Sequence, residues 1–414
     1  MENKDTSRQP LPSLTGGVGG GSSFDDIRPF YDSEIPAAMQ RIADSPHFPL
    51  LAQYVYPGQD IEKVRNLMRQ FTNVYDFQHE VMRCVNEQVI ARSTTSFTYD
   101  GIDRLDPEKR YLFVSNHRDI MLDACLLQYA LWQCGHETTE ITFGANLMSS
   151  PLVIDIGKSN KMFRVERGGT PREFYRSSLH LSEYIRYCIT EKHQSVWIAQ
   201  RNGRTKDGID QTDQGIIKMF GMSRPKEPVE ALAELNIVPV SISYEWESCD
   251  LLKARELYLS RDTKYVKQPG EDLNSILTGV MQPKGAVHIS CCPVITTADL
   301  QTLLDDSDAD NAPALPSITG GAGGGSFNRS VAHLIDERII EAYRLTPNNY
   351  IAYDLLHLTS EYADRYTPAQ RDAFLAHPEH LRDMHIEDID TLNTLRNILW
   401  GIYANPVEQK LSLI

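Results

Sequence analysis

The sequence predicts an α/β protein: a mixed, largely parallel sheet flanked by helices, with helical N- and C-terminal extensions. Two observations carry this. Between residues 96 and 300, short apolar runs of strand character alternate with stretches of helical period, the order that builds parallel sheets through helical crossovers. On either side, 24–95 and 327–414 carry apolar residues three or four apart, the mark of amphipathic helices. A third observation sets boundaries. LPSLTGGVGGGS at 11–22 and LPSITGGAGGGS at 315–326 are nearly the same string, and their Gly/Ser-rich composition is that of flexible linkers.

The expected organisation is a disordered tail at 1–23, a helical region at 24–95 and an α/β domain at 96–300. An acidic and Gly-rich linker at 301–326 and a helical region at 327–414 follow. In the first region Pro36, Pro46, Pro49 and Pro57-Gly58 limit the helices to short pieces. From Asp60 to Val89 apolar residues recur at helical spacing. Phe97–Tyr99 opens the strands, before a turn at Asp106-Pro107. Then come a strand at Tyr111–Val114, a helix at Asp119–Cys134, an extended piece at Glu140–Gly144 and a charged-faced helix at Pro171–Cys188. Ser195–Ala199 is a strand, Val229–Leu235 a helix, and Ile237–Tyr244 and Ala286–Cys291 are strands. Pro239 would confine its strand to an edge, a bulge or a strand start, because it has no N–H for the ladder. Residues 301–312 read as an acidic loop. Near the C-terminus Thr367 and Pro368 are a good N-cap and first helical residue. The repeated Gly-rich strings look inserted, and GGVGGG neither follows a strand nor opens a helix, so it is no dinucleotide fingerprint.

Composition narrows the function. With 414 residues, 41% hydrophobic and 23% charged, the chain is globular. A net charge of −15 argues against broad electrostatic binding to nucleic acid. Seven cysteines lie scattered without metal-ligand spacing, which fits a reducing cytoplasm and no structural metal. No apolar run reaches the roughly 18 residues of a spanning helix, so a soluble or peripheral protein is expected.

The chemistry concentrates at Tyr111–Leu127, YLFVSNHRDIMLDACLL. A buried strand ends at Ser115–Asn116, and His117 follows where a helix is about to begin. Sites in open α/β sheets form at such junctions. Asp119 and Asp123 stand close by, and a carboxylate can hold an imidazole in one tautomer so that it takes a proton from a hydroxyl. Asp119 also reads as a plain helix cap. HRDI begins like a kinase catalytic loop, but position 124 is alanine and no partner motif occurs.

VSNHRDIMLD resembles the N-H-R-x-x-x-D block of the glycerolipid acyltransferases, the glycerol-3-phosphate and lysophosphatidate type. That family has four residues between histidine and aspartate; here Asp123 follows after five and Asp119 after one. The apolar residues after Asp123 favour it as the orienting acid. Three further blocks come in family order. MFRVER resembles F-[IV]-x-R and suggests Arg167, with Arg164 second, as phosphate ligands; arginine binds phosphate bidentately. SVWIAQRNGRTKDG resembles F-x-E-G-x-R, with Gly203 and Arg204 matching and Asn202 at the acidic position. IVPVSISYE resembles V-P-[VI]-x-[IF]-x-Y and includes Pro239, which would wall a substrate groove. FGANLMSSP and PKGAVHISCCPVI add weaker likeness, and together the blocks span about residues 96–295.

The resemblance implies transfer of an acyl group from coenzyme A or acyl carrier protein to a phosphorylated glycerol acceptor in phospholipid synthesis. His117-Arg118 and the S-Y-E string point to position 1 of glycerol 3-phosphate. His117 would be the base and Asp123 its orienter, and Arg118, Arg164, Arg167 and Arg204, with Asn202, Gly203 and Pro239, would seat the acceptor. Lysophosphatidate, dihydroxyacetone phosphate and an amino-acid lipid are alternative acceptors, and an inactive lipid-binding relative is a different class. The acyl donor would be a co-substrate with no cofactor or metal, and the protein would sit peripherally on the inner face of the membrane.

Overall fold

In a computed structural model of the chain, residues 24–148, 150–166, 168–263, 265–309, 324–384 and 388–414 are described. The sheet has seven strands: β1 Thr94–Asp100, β2 Leu112–Ser115, β3 Glu140–Gly144, β4 Met162–Val165, β5 Val196–Ala199, β6 Ile237–Tyr244 and β7 Gly285–Cys291. Their spatial order is β1-β7-β6-β2-β5-β3-β4. All neighbours are parallel except β6 and β7. The fold class is the expected one.

All four residues of β2 and all eight of β6 are buried, as parallel strands covered on both faces must be. Alternation along β2 divides the core in two. Leu112 and Val114 face a cluster with Val196, Ile198, Tyr184 and Ile217. Tyr111 and Phe113 face a second cluster with Trp197, Val240, Ile242, Tyr244 and the Leu122–Gln133 helix. Each such apolar side chain contributes about 1.5–3 kcal/mol when fully buried. This pins β2, and with it the residue at its carboxyl end.

The N-terminal helices form their own core around Met39, Phe48 and Phe77 and are tied to the α/β part by a bidentate pair between Arg41 and Asp155. The periodic run from Asp60 is not one helix. It breaks after Met68, where Asn73 accepts from the Asp76 N–H at 2.8 Å and caps a new start. The helix expected from Asp119 starts at Leu122, because the Asp119 carboxylate accepts from the N–H groups of Met121 and Leu122 at 2.8 Å each.

The acidic stretch read as a loop from 301 is helical over Thr297–Ala309. Its acids Asp305 and Asp306 face solvent while Leu300, Leu303 and Leu304 pack on the core, so amphipathic spacing outweighs the charge run. The Gly324–Ala342 helix also joins the sheet core, through Val331, Ile335 and Ile339. Residues 1–23, with the first Gly-rich string, and 310–323, with most of the second, lie outside the described residues.

Pro239 is another correction. It sits in a central strand, paired with Val114 of β2 on one side. On the other side the β6–β7 ladder runs from Val240 onward, and past it the Pro239 carbonyl accepts from Cys292 N at 2.9 Å and the Ile237 carbonyl from Ile295 N at 2.8 Å. The missing N–H thus falls just outside the regular β6–β7 register, in the first residues of β6. Among the described residues no helix is long and apolar enough to cross a membrane.

Candidate active site

The site begins where β2 ends. Asn116, fully buried, bonds the backbone of one β6 residue from both ends of its amide: it accepts from Ile242 N at 2.8 Å and donates to Ile242 O at 3.0 Å. The side chain continues the sheet after the β2 backbone has left it. The next residue, His117, is thereby turned out over the carboxyl ends of the strands. Its carbonyl accepts from Thr205 N at 2.7 Å, and its ring packs edge-on against Trp197.

Asp123, in the first turn of the Leu122–Gln133 helix, is fully buried. Its Oδ2 accepts from His117 Nδ1 at 2.9 Å and from the backbone N–H groups of Arg118 and Asp119 at 2.6 and 2.9 Å. Its Oδ1 accepts from the Tyr244 hydroxyl at 2.8 Å. Burial, with the Asp123 carboxylate adding to it, pushes the Tyr244 phenol well above its ordinary pKa, so it stays a donor. A carboxylate surrounded by donors fixes the histidine proton on Nδ1 and leaves the Nε2 lone pair outward. Nε2 has no partner among the described residues and is not among the sealed, unpartnered atoms, so the 7% exposure of His117 includes it.

Asp119 does different work. Beyond its two backbone donors it takes a short hydrogen bond from the Ser248 hydroxyl, and it does not touch His117. The extra residue between histidine and aspartate is absorbed in the 117–121 turn, whose N–H groups at 118 and 119 converge on Asp123.

Arg118, expected to hold a phosphate, does not fit that role. It is 1% exposed. It pairs with Asp210 at 2.6 Å and with Glu247 at 3.4 Å, and donates to Gly208 O at 3.3 Å. Lys253 completes the set, reaching Glu247 at 2.6 Å and the Arg118 carbonyl at 2.7 Å. Two cations and two carboxylates balance beneath the site. Burial disfavours the Arg118 cation, but Asp210 and Glu247 outweigh that and raise its pKa.

Arg204 is the opposite case. It is 8% exposed, its Nη1 is sealed from solvent, and its guanidinium has no hydrogen bond or ion pair among the described residues. It immediately precedes Thr205, which bonds His117. Its charge also opposes the burial-driven rise of the Cys249 pKa. A buried arginine without an anion is costly, and a ligand anion would relieve it.

The other expected residues are more scattered. Gly203 has φ of +81° with open space where a Cβ would stand, so it serves the turn conformation and not a close approach. Asn202 is exposed beside it. Arg164 is not brought to the site. It lies on β4, separated from β2 by β5 and β3, about 14 Å at ordinary strand spacing, and pairs with Glu166 at 2.6 Å. Arg167 lies outside the described residues. Pro239 is buried within the sheet.

Tyr244, Ser248 and the Asp210–Glu247–Lys253 set were missed in the sequence. For Tyr244 a signal existed: Val240, Ile242 and Tyr244 alternate onto one face of β6, the face of Phe113 and the following helix.

A histidine with a carboxylate-fixed tautomer and an open Nε2 can deprotonate a hydroxyl, and the unpaired buried guanidinium of Arg204, one residue before the His117-bonded Thr205, can take an anion. Residues 96–243, from β1 into β6, match the Acyltransferase family model. The sequence blocks compared with the glycerolipid acyltransferases fall largely within it. Among solved structures, the 1-acyl-sn-glycerophosphate (LPA) acyltransferase PlsC from Thermotoga maritima matches at 10% identity with a TM-score of 0.34, covering 75% of this chain and 96% of its own. No curated protein matches the chain.

Proposed function

We propose that this acyltransferase moves a fatty acyl group from an acyl thioester to the position-1 hydroxyl of glycerol 3-phosphate, in phospholipid synthesis. His117 Nε2 takes the hydroxyl proton as the oxygen attacks the thioester carbonyl carbon. The C–O bond forms, a tetrahedral intermediate collapses, and the C–S bond breaks. The departing thiolate takes the proton back from His117, which restores the neutral imidazole. Asp123, steadied by Tyr244, holds the ring and balances its transient charge. General-base help of this kind contributes about 10²–10⁴-fold, and positioning supplies much of the rest.

The observation that carries the acceptor class is the unpaired, buried guanidinium of Arg204, one residue before the His117-bonded Thr205. A phosphate there would leave a nearby glycerol hydroxyl to face Nε2. A peripheral position at the inner membrane face belongs to the same reading.

The test is thiol release from acyl-CoA and acyl carrier protein thioesters against glycerol 3-phosphate, lysophosphatidate and dihydroxyacetone phosphate, for wild type and His117→Ala. Release should require an acceptor, be fastest with glycerol 3-phosphate, and vanish in the variant while the fold persists. Turnover by His117→Ala equal to wild type would remove the histidine from the mechanism. No release with any acceptor would remove the activity.

A further inference from the structure

A polar cleft with three basic side chains opens along the chain from the turn that carries Arg204. It has a volume of about 460 Å³ and lies between the 201–214 segment and the Gly324–Ala342 helix. Arg201 lines it from the loop, and Arg329 and His333 line it from the helix. None of the three has a hydrogen bond or ion pair among the described residues. That stands out in a chain of net charge −15.

Two acids, Asp213 and Asp336, also line the cleft, and each is hydrogen-bonded outside the basic trio. Asp213 accepts from Gly215 N at 2.8 Å as the cap of the Gln214–Gly221 helix. Asp336 accepts from the backbone N–H and hydroxyl of Thr212 at 2.7 and 2.6 Å. Two guanidiniums and an imidazole from two separate elements therefore line one solvent-open space; Asp336 acts on His333 through space, but none of the three is closed off by an ion pair. Such a set binds phosphate.

The cleft is distinct from the seat of Arg204. Arg204 is buried and directly precedes Thr205, whose N–H bonds the His117 carbonyl, whereas Arg329 and His333 are exposed. Four residues of chain link Arg201 to Thr205, at most about 14 Å, and Thr205 bonds His117. The cleft thus sits one short span from the reacting centre. An acyl thioester carried on a pantetheine arm has this layout: a phosphate at one end and the reacting carbonyl at the other, with a flexible arm between.

We infer that the cleft lined by Arg201, Arg329 and His333 binds the phosphate end of the pantetheine-bearing acyl donor. The inference rests on the proposed transfer reaction for its orientation. The shared chemistry is the phosphate on the pantetheine arm, whether it belongs to coenzyme A or to an acyl carrier protein.

The experiment compares wild type with Arg329→Ala and Arg329→Ala/His333→Ala, exposed positions on a helix whose buried face is untouched. Three donors with one acyl chain are used: acyl-CoA, acyl carrier protein thioester and acyl-pantetheine, which lacks phosphate. Expected is a five- to tenfold rise in KM for at least one phosphorylated donor, an unchanged KM for acyl-pantetheine, and unchanged kcat. A rise with acyl-CoA alone assigns the cleft to the nucleotide carrier, and a rise with the protein thioester alone assigns it to the carrier protein. Equal changes for all three donors, or no change for any, overturn the inference. Calorimetric titration with coenzyme A and with holo acyl carrier protein separates this from the reaction itself. Weaker binding by the variants with no turnover in wild type would retain the cleft and discard the reaction. Binding that the variants leave unaltered, or none at all in wild type, would discard the cleft.

Discussion

The Tyr244 hydroxyl and His117 Nδ1 bind opposite oxygens of Asp123, at 2.8 and 2.9 Å. Tyr244 comes from the end of β6 and His117 from the end of β2, so the carboxylate is clamped between two adjacent strands before any substrate enters.

Tyr244→Phe should therefore lower kcat about tenfold with little change in either KM. It leaves one buried carboxylate oxygen without a donor, a loss of about 1–3 kcal/mol. Steady-state kinetics with the acceptor varied at saturating donor measure this split. An unaltered kcat would show that Asp123 needs no support from β6.

Asp123→Asn should be much worse than Asp119→Asn. An asparagine amide facing Nδ1 favours the wrong tautomer, a change that elsewhere costs on the order of 10⁴ in kcat. Asp119 only closes the turn and bonds Ser248, so about a tenfold loss is expected there. The opposite ranking in a paired assay would give the orienting role to Asp119.

Arg204 and Arg118 should separate binding from stability. Arg204→Ala is expected to raise the acceptor KM at least tenfold while leaving the melting temperature unchanged or higher, because it removes an unpaired buried cation. Arg118→Ala strands Asp210 and Glu247 and should cost about 3–5 kcal/mol of stability. Thermal unfolding of both variants, read with acceptor kinetics for Arg204→Ala, checks the pair. A destabilised Arg204→Ala with normal acceptor KM would move Arg204 to a structural role.

Stability should also carry a pH signature from Asp336. Burial, its largest influence, lifts its pKa from 3.8 to about 6 against the lowering effect of the Thr212 bonds. Between these values the folded protein holds more protons than the unfolded one, so stability falls as pH rises through that window. Asp336→Asn keeps an acceptor for Thr212 and removes the titration. It should match wild type below pH 4 and be more stable above pH 6, by about 2 kcal/mol after allowance for partial exposure. Urea unfolding at both ends of the range tests the sign. A gain that is the same at both ends would exclude Asp336 as its source.

The core strands were legible because a strand covered on both faces must be apolar throughout, as Leu112–Ser115 and Ile237–Tyr244 nearly are. The His117–Asp123 contact was legible because it is local, six residues apart. Arg118 was misread because its partners Asp210 and Glu247 lie 92 and 129 residues away, and nothing near Arg118 in the chain indicates that it is already paired. Tyr244, 121 residues from Asp123, was hidden for the same reason. The 297–309 helix was misread because acidic residues dominate a short window while Leu300, Leu303 and Leu304 set the period.

The four charges below the His117 turn, Arg118, Lys253, Asp210 and Glu247, also predict a pattern of inheritance. No member can be exchanged alone without stranding a partner in a dry interior. Relatives of this chain should therefore keep the quartet whole, or replace it wholesale by uncharged residues of similar bulk, with single-member losses rare among functional descendants.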